Sequence, residues 1–282
     1  MIIRPADLAI PKLQAYLQSA VSPRPIAFVS SIDAEGNVNL SPFSFFNMFS
    51  MNPPILVFSP SRRVRNNTIK HTLENVIEVD EVVINIVNYT MVQQTSLASC
   101  EFAKGVNEFV KSGFTEVKSD LVKPPRVGES PVSFECKVKQ VIPLGTEGGA
   151  GNLVICEVLL MHIHDSVLDE NNMIDPQKLD AVARMGQNYY SRASGDSVFV
   201  VPKPNEKIGI GYDLLPEKIR TSNVLTGNDL GMLANVDQLP AKREFTDEEL
   251  KALNQGTESL HRLAQRYLKQ GKITEAWQLL LQ

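Results

Sequence analysis

The chain has 282 residues, 43% hydrophobic and 21% charged, which excludes a disordered, collagen-like or membrane-embedded chain and leaves room for one core plus an appendage. A formal net charge of -4 and a pI near 5.7 give no overall positive field to hold a nucleic-acid backbone, so no nucleic-acid partner is expected. Cys100, Cys136 and Cys156 form no Cys-x-x-Cys pair, and neither a basic-then-apolar leader nor an apolar run near the roughly 18 residues a bilayer needs is found, so a reduced, cytoplasmic protein without a membrane partner is expected.

Apolar residues at helical spacing from Asp7 to Ser19 predict a short amino-terminal helix. Ile26 to Ile32 is apolar and β-branched, Asp33-Ala-Glu-Gly36-Asn supplies turn residues, and Val38 to Ser41 returns, which together predict a hairpin. Ile55 to Phe58 reads as a short strand, Thr68 to Asn75 as an exposed helix, and Val82 to Val87 as a strand buried on both faces. Gln93 to Ala103 and Val106 to Lys111 read as helices, with Gly113 placed where a helix terminates. Beyond the Pro-rich loop at Lys123, Val132, Phe134, Cys136 and Val138 alternate with Ser133, Glu135, Lys137 and Lys139, the pattern of a strand with one wet face. Leu153 to Ile163 is its partner across a flexible glycine-rich turn, Gly145 to Gly151. Strands interrupted by helices without regular β-α-β alternation imply a mainly β protein, a β-barrel with peripheral helices.

After Ser197 a segment rich in Pro, Gly and Asn runs to Pro240 with no regular structure assigned. Thr246-Asp-Glu-Glu249 is a capping box that starts a helix running to Gly271, and Ile273 to Leu281 starts another. This helical hairpin has an apolar seam that needs a partner surface, either the barrel or a second subunit. Two domains are therefore expected, residues 1–197 and a carboxy-terminal extension of loop and helical hairpin, residues 198–282.

No Gly-x-Ser-x-Gly or Cys–His signature supports nucleophilic catalysis, and no catalytic side chain is assigned. His162 and His164 share a strand face at a spacing a metal site can use, but no nearby third ligand is obvious, ordinary hydrogen bonding is the favoured reading, and no metal is assigned. The glycines of residues 145–151 precede a strand instead of following one, so they do not form a dinucleotide fingerprint. Ser41-Pro-Phe-Ser-Phe-Phe-Asn47 sets hydroxyls and an amide among aromatic rings, which suits a planar heterocycle or else a barrel strand with buried phenylalanines. Ser59, Arg62, Arg63, Arg65, Thr68, Lys70 and Thr72 gather cations and hydroxyls at a strand-to-helix junction, which suits a phosphate or else a solvated basic loop.

Ser22-Pro-Arg-Pro-Ile-Ala-Phe-Val-Ser-Ser-Ile-Asp-Ala-Glu-Gly36, Asn39-Leu-Ser-Pro-Phe-Ser-Phe-Phe-Asn47, Lys70-His-Thr72, Glu81-Val-Val-Ile-Asn85, Pro124-Pro-Arg-Val-Gly-Glu-Ser-Pro131 and Arg184-Met-Gly-Gln-Asn-Tyr-Tyr190 follow in order. Over about residues 20–195 the chain resembles the flavin reductase-like family, whose domain is an FMN-binding split barrel. The resemblance implies a homodimer that binds FMN, or in some members FAD, near the subunit interface. It implies reduction of flavin by NAD(P)H, supplying a separate flavin-dependent monooxygenase or another electron acceptor. By the same resemblance Ser41, Phe43, Ser44 and Asn47 line the flavin ring, and Ser59, Arg63, Thr68, Lys70 and Thr72 meet its phosphate. Arg24 lies close to that pocket and Tyr189 or Tyr190 covers the ring.

Two departures bear on the donor. Where the phenol-hydroxylase type of reductase carries a histidine near the nicotinamide, this chain has Asn152, and Cys156 replaces the usual glycine. His162 further along the strand is a candidate substitute. A flavoredoxin-like electron carrier and a non-catalytic FMN-binding module with a protein partner are the alternatives. Residues beyond Ser197 lie outside the resemblance; they are expected to cover the flavin, strengthen a dimer or recruit an oxygenase.

Overall fold

Asp33 makes the first turn: its Oδ1 accepts the backbone N–H of Glu35 at 3.0 Å and of Asn37 at 2.8 Å, while Gly36 takes a φ of +89°. Strand β1 (Ala27–Ile32) thereby reverses into β2 (Val38–Phe43), as the turn residues imply. The structure is a computed structural model describing residues 1–202, 207–241 and 243–281. Internal contacts divide the chain into two units, Met1–Phe199 and Val200–Gln282. Among the described residues no helix is long and apolar enough to cross a membrane.

In the first unit helix α1 (Ile10–Ala20) precedes the hairpin, which is followed by β3 (Phe46–Met51), β4 (Pro54–Phe58), α2 (His71–Glu78) and β5 (Glu81–Ile86). Helices α3 (Val92–Leu97) and α4 (Glu108–Ser112) lead to a small hairpin, β6 (Glu116–Val117) and β7 (Arg126–Val127). Long strands β8 (Val132–Pro143) and β9 (Asn152–Ile163), helix α5 (Pro176–Leu179) and the hairpin β10 (Val182–Arg184) and β11 (Tyr190–Arg192) complete it. Seven strands form one antiparallel sheet in the order β2-β1-β5-β8-β9-β4-β3. Its two end strands, β2 and β3, are consecutive in sequence and joined only by Ser44 and Phe45. Three Cα–Cα steps span at most about 11 Å, so the sheet must curl until its ends meet, without the two end strands pairing.

Alternate residues of β1 enter different cores. Ala27 and Val29 join Phe43, Phe58, Cys136 and Cys156 inside the barrel, whereas Phe28 joins Phe109, Phe114 and Met91 beneath α3 and α4. Helix α2 contributes Leu73 and Val76 to the barrel interior. It starts at His71, later than the expected Thr68, and is half-buried where an exposed helix was expected. Helix α3 ends at Leu97, well short of Ala103. Gly113 ends α4 in the left-handed conformation at φ +72°, as placed.

The wet face expected on β8 is dry at two of its four positions. Ser133 and Glu135 are buried because the segment around residues 118–127 folds over them, and only Lys137 and Lys139 reach solvent. Strand β3 was not anticipated as such: it pairs with β4 through a register shift between Met48 and Ser50, so its apolar residues do not alternate.

In the second unit the segment without assigned structure holds helices α6 (Glu217–Arg220) and α7 (Gly227–Ala234), the latter opened by a Thr226/Asp229 capping box; residues 203–206 of that segment lie outside the described residues. The Thr246/Glu249 box opens α8 (Asp247–Asn254) as read, but Gly256 at φ +96° separates it from α9 (Thr257–Lys269), so the single long helix is two. Helix α10 (Ile273–Leu280) follows Gly271. Part of the apolar seam is covered inside the unit, whereas Leu250 and Leu253 of α8 stay exposed. Ile219, Leu225, Leu230 and Leu233 cover Leu263, Leu268 and Trp277 within the unit, and the Trp277 indole donates to the Leu233 carbonyl at 2.9 Å.

Candidate functional site

At the seam where the sheet ends meet, Phe43 turns its ring inward against Phe58, centroids 5.3 Å apart. The Ser59 N–H donates to the Phe45 carbonyl at 2.8 Å and binds the end of β4 to the link. From the other side Arg24 donates to the Ser44 hydroxyl at 3.4 Å. The remaining donors of Arg24 are taken by carbonyls of Gln18, Val21 at 2.8 Å and Met185 at 2.7 Å, so this buried arginine ties α1 to the β10 region. Burial, with Arg184 nearby, lowers its pKa.

The basic segment after β4 folds back on itself. Arg63 donates to the Thr68 hydroxyl at 3.0 Å and to the Ile69 carbonyl at 2.5 Å, and its Nε lies 3.2 Å from a Glu101 oxygen. Arg65 shares Glu101, and Arg62 bonds the side chain and carbonyl of Asn67, both at 2.6 Å. Lys70 is largely enclosed; burial depresses its ammonium pKa, Arg63 depresses it further, and Glu101 opposes both. Arg63 and Arg65 thus share Glu101, and Glu108 lines the same recess as Arg63, Lys70 and Glu101.

The glycine-rich turn, read as flexible, is pinned to this loop. Arg62 N–H donates to the Ala150 carbonyl at 2.8 Å and Gly149 N–H to the Arg62 carbonyl at 3.0 Å. A Cβ on Gly148 would stand 3.0 Å from the Val64 carbonyl oxygen, so the backbones approach too closely for a side chain.

A cleft of about 360 Å³ opens here, within the ordinary range of ligand pockets. Arg62, Arg63 and Lys70 give it a cationic wall, and Ile10, Leu13 and Leu17 of α1 with Phe45 give it an apolar one. The α1 wall, Glu101 and the supporting glycines escaped the sequence reading; the exposed apolar stripe of α1 was the signal available for the first. Ser41 and Thr72 line a small recess that shares Arg63 and Lys70 with the cleft, although the buried Thr72 hydroxyl already accepts from Asn39 at 2.8 Å. Phe43 lies beneath Lys70, whose Nζ is 5.3 Å from the ring centroid.

Other candidates lie apart or are engaged. The Ser59 hydroxyl accepts the Asn152 N–H at 3.1 Å, and the Thr68 hydroxyl sits between Arg63 and Asn66. Asn47 is exposed on β3, its side-chain oxygen accepting the Met48 N–H, and Tyr189 is 70% exposed in the β10–β11 turn. Asn152 is buried and donates to the Pro60 carbonyl at 2.9 Å, a structural tie. Cys156 lies inside the barrel, where burial holds its thiol pKa well above the ordinary value.

His162 and His164 part company: His162 Nε2 is 2.6 Å from Glu135, whereas His164 bonds Ser166 at 2.7 Å. Ligand atoms of Asp120, Glu135 and His162 do lie within 4.8 Å of one another. The Glu135 oxygens, however, already accept backbone N–H groups of Asp120, Leu121 and Val122. Burial pushes the Glu135 carboxyl up, but those bonds and His162 bring it below its ordinary value. The group is a clamp holding the covering loop on β8.

The family model described as flavin reductase like domain matches residues 19–182. An uncharacterized protein of Aquifex aeolicus (strain VF5) is 39% identical over 176 residues, 62% of this chain and 87% of that protein. Among solved structures, nitrilotriacetate monooxygenase component B from Bacillus cereus is 26% identical with a TM-score of 0.66, covering 71% of this chain and 98% of that one. Flavoredoxin of Desulfovibrio vulgaris (Miyazaki F), at 21% identity, TM-score 0.55 and coverage of 64% and 91%, shares the fold. An antiparallel sheet curled until its unpaired ends meet at Ser44 and Phe45, together with this match across most of the first unit, makes the chain a member of the flavin reductase-like family, with a split-barrel fold.

Proposed function

We propose that the protein binds FMN in the cleft between α1 and the basic loop and transfers reducing equivalents from NAD(P)H to flavin. The observation that carries this reading is the cationic wall of Arg62, Arg63 and Lys70 in a cleft whose opposite side is apolar, with Glu101 shared between Arg63 and the exposed Arg65 behind it. A phosphate, close to a dianion at neutral pH, suits that wall. Arg63 and Lys70 hold it, Ser41 offers a hydroxyl from the adjoining recess, Ser44 stands at the seam beside Arg24, and Phe45 with Leu13 and Leu17 excludes water from one ring face. Bound FMN supplies a ring that accepts a hydride, so the protein needs no acid–base dyad and acts by positioning.

The reading extends to a cytoplasmic homodimer in which the exposed Met48, Phe49 and Met51 of edge strand β3 supply apolar contact surface. The similarity to a monooxygenase component B supports a separate monooxygenase as electron acceptor. The split barrel carries this chemistry, and the residues beyond it form an appended helical unit.

One observation favours a second reading. The buried Asn152, locked to Pro60, stands where a nicotinamide-contacting histidine is expected, which favours a flavoredoxin-like carrier reduced by another protein. Anaerobic stopped-flow of the FMN-loaded protein with NADH and with NADPH separates the two. Bleaching of the flavin absorbance within seconds is the expected result; an oxidised spectrum persisting for many minutes overturns the reductase reading in favour of the carrier.

A further inference from the structure

A second cleft, also about 360 Å³, opens in the first unit between α3 and the β10–β11 hairpin. Two arginines line it and differ in their state. Arg192 is stacked 3.8 Å from the Tyr89 ring centroid and paired through two nitrogens, each at 2.7 Å, with Asp180, so its charge is met. Arg184 is held 4.6 Å from the Tyr190 centroid and by a 2.7 Å bond to the Gln187 carbonyl. Among the described residues Arg184 has no carboxylate partner, and the buried guanidinium of Arg24, whose backbone pairs with its own, is a like charge.

Around this fixed guanidinium the side chains of Gln93, Ser96 and Asn188 face the same hollow and make no hydrogen bond among the described residues. Singly, each is an ordinary solvated group. Gathered on one concave surface with an unneutralised, pre-oriented arginine, they supply one planar cationic fork and several neutral donors, the equipment that recognises an oxyanion. The stacking on Tyr190 and the Gln187 bond reduce the rotamer freedom Arg184 would lose on binding.

We propose that this cleft is a binding site for a small organic molecule bearing a carboxylate or a phosphate, with Arg184 gripping the anion and Gln93, Ser96 and Asn188 bonding the polar remainder. The site is lined by none of the residues that line the α1 cleft, and it stands whether or not that cleft holds flavin.

The test is calorimetric titration of the full chain with benzoate and, separately, inorganic phosphate at fixed ionic strength, repeated on Arg184→Gln, Gln93→Glu and Lys70→Ala. Gln93 is an exposed helical position, so Gln93→Glu places a repelling charge at the cleft without disturbing the core. Saturable binding of either probe, weakened at least tenfold in both Arg184→Gln and Gln93→Glu and retained in Lys70→Ala, supports the site; the probe that binds identifies the anion. No binding of either probe, equal affinity across wild type, Arg184→Gln and Gln93→Glu, or loss of binding in Lys70→Ala overturns it.

Discussion

Lys70 stands with its Nζ 5.3 Å from the centre of the Phe43 ring, so an aromatic face and a cationic wall meet at one side chain. Removal of the ammonium takes a charge-assisted bond from a phosphate but nothing equivalent from a ligand lacking one. Lys70→Ala is expected to weaken FMN by about 1.5–3 kcal/mol, roughly ten- to a hundredfold, and riboflavin much less. Fluorescence titration with both ligands decides it, and equal losses would remove Lys70 from the phosphate.

Glu249 provides a pH-dependent term in the second unit. Its carboxylate is gripped by Arg243 at 2.5 and 2.8 Å and accepts from Thr246 and Tyr267, which hold its pKa at about 2 against an ordinary 4.5 despite burial. A folded-state pKa below the unfolded one means stability fully present above pH 4.5 and lost as pH falls toward 2. Glu249→Gln should cost on the order of 3 kcal/mol at pH 7 and flatten the stability profile through that acid window. Chemical unfolding followed by circular dichroism at a series of pH values measures both; an unchanged acid profile in the variant would contradict the assignment.

The thiols divide by accessibility. Burial, with Glu135 adding, pushes the Cys136 thiol up to about 12, and burial raises Cys156 as well, while Cys100 lies exposed. A disulfide-exchange reagent should therefore label one thiol per native chain and all three after denaturation. Fast native labelling of a second thiol would show that the barrel interior opens readily.

Phe49 projects from edge strand β3 with 69% of its surface exposed. If β3 supplies the dimer surface, Phe49→Glu should shift the protein from dimer to monomer in light scattering after size-exclusion chromatography, with little change in thermal stability. A wild-type monomer, or a variant dimer of unchanged affinity, would exclude this surface.

What could be read from the chain was what neighbouring residues decide among themselves. The Asp33–Gly36 turn and the Thr246–Glu249 cap are closed by bonds within a few residues, and both were legible. Ser133 and Glu135 were not, because what dries them is a separate upstream loop that folds back over the strand; alternation reports side-chain direction and not what covers it. Lys70 and Arg63 were found by charge clustering, but their pairing with Glu101 depends on a turn after α3, and the α1 wall comes from fifty residues earlier. Ser59 and Thr72 were singled out for their hydroxyls, and the structure adds what the sequence could not show, that each accepts an N–H from a distant asparagine, Asn152 and Asn39.

Ser44 and Phe45 act as a drawstring. With only this dipeptide crossing from one margin of the sheet to the other, the gap at that corner is limited by covalent chain length instead of by side-chain packing, and Phe43 and Phe46 can part by no more than about 11 Å however loosely the interior is filled. Substitutions that soften the interior therefore leave that corner at nearly constant gauge, whereas one or two residues inserted between Phe43 and Phe46 would slacken it directly while leaving every ladder bond of the seven strands available.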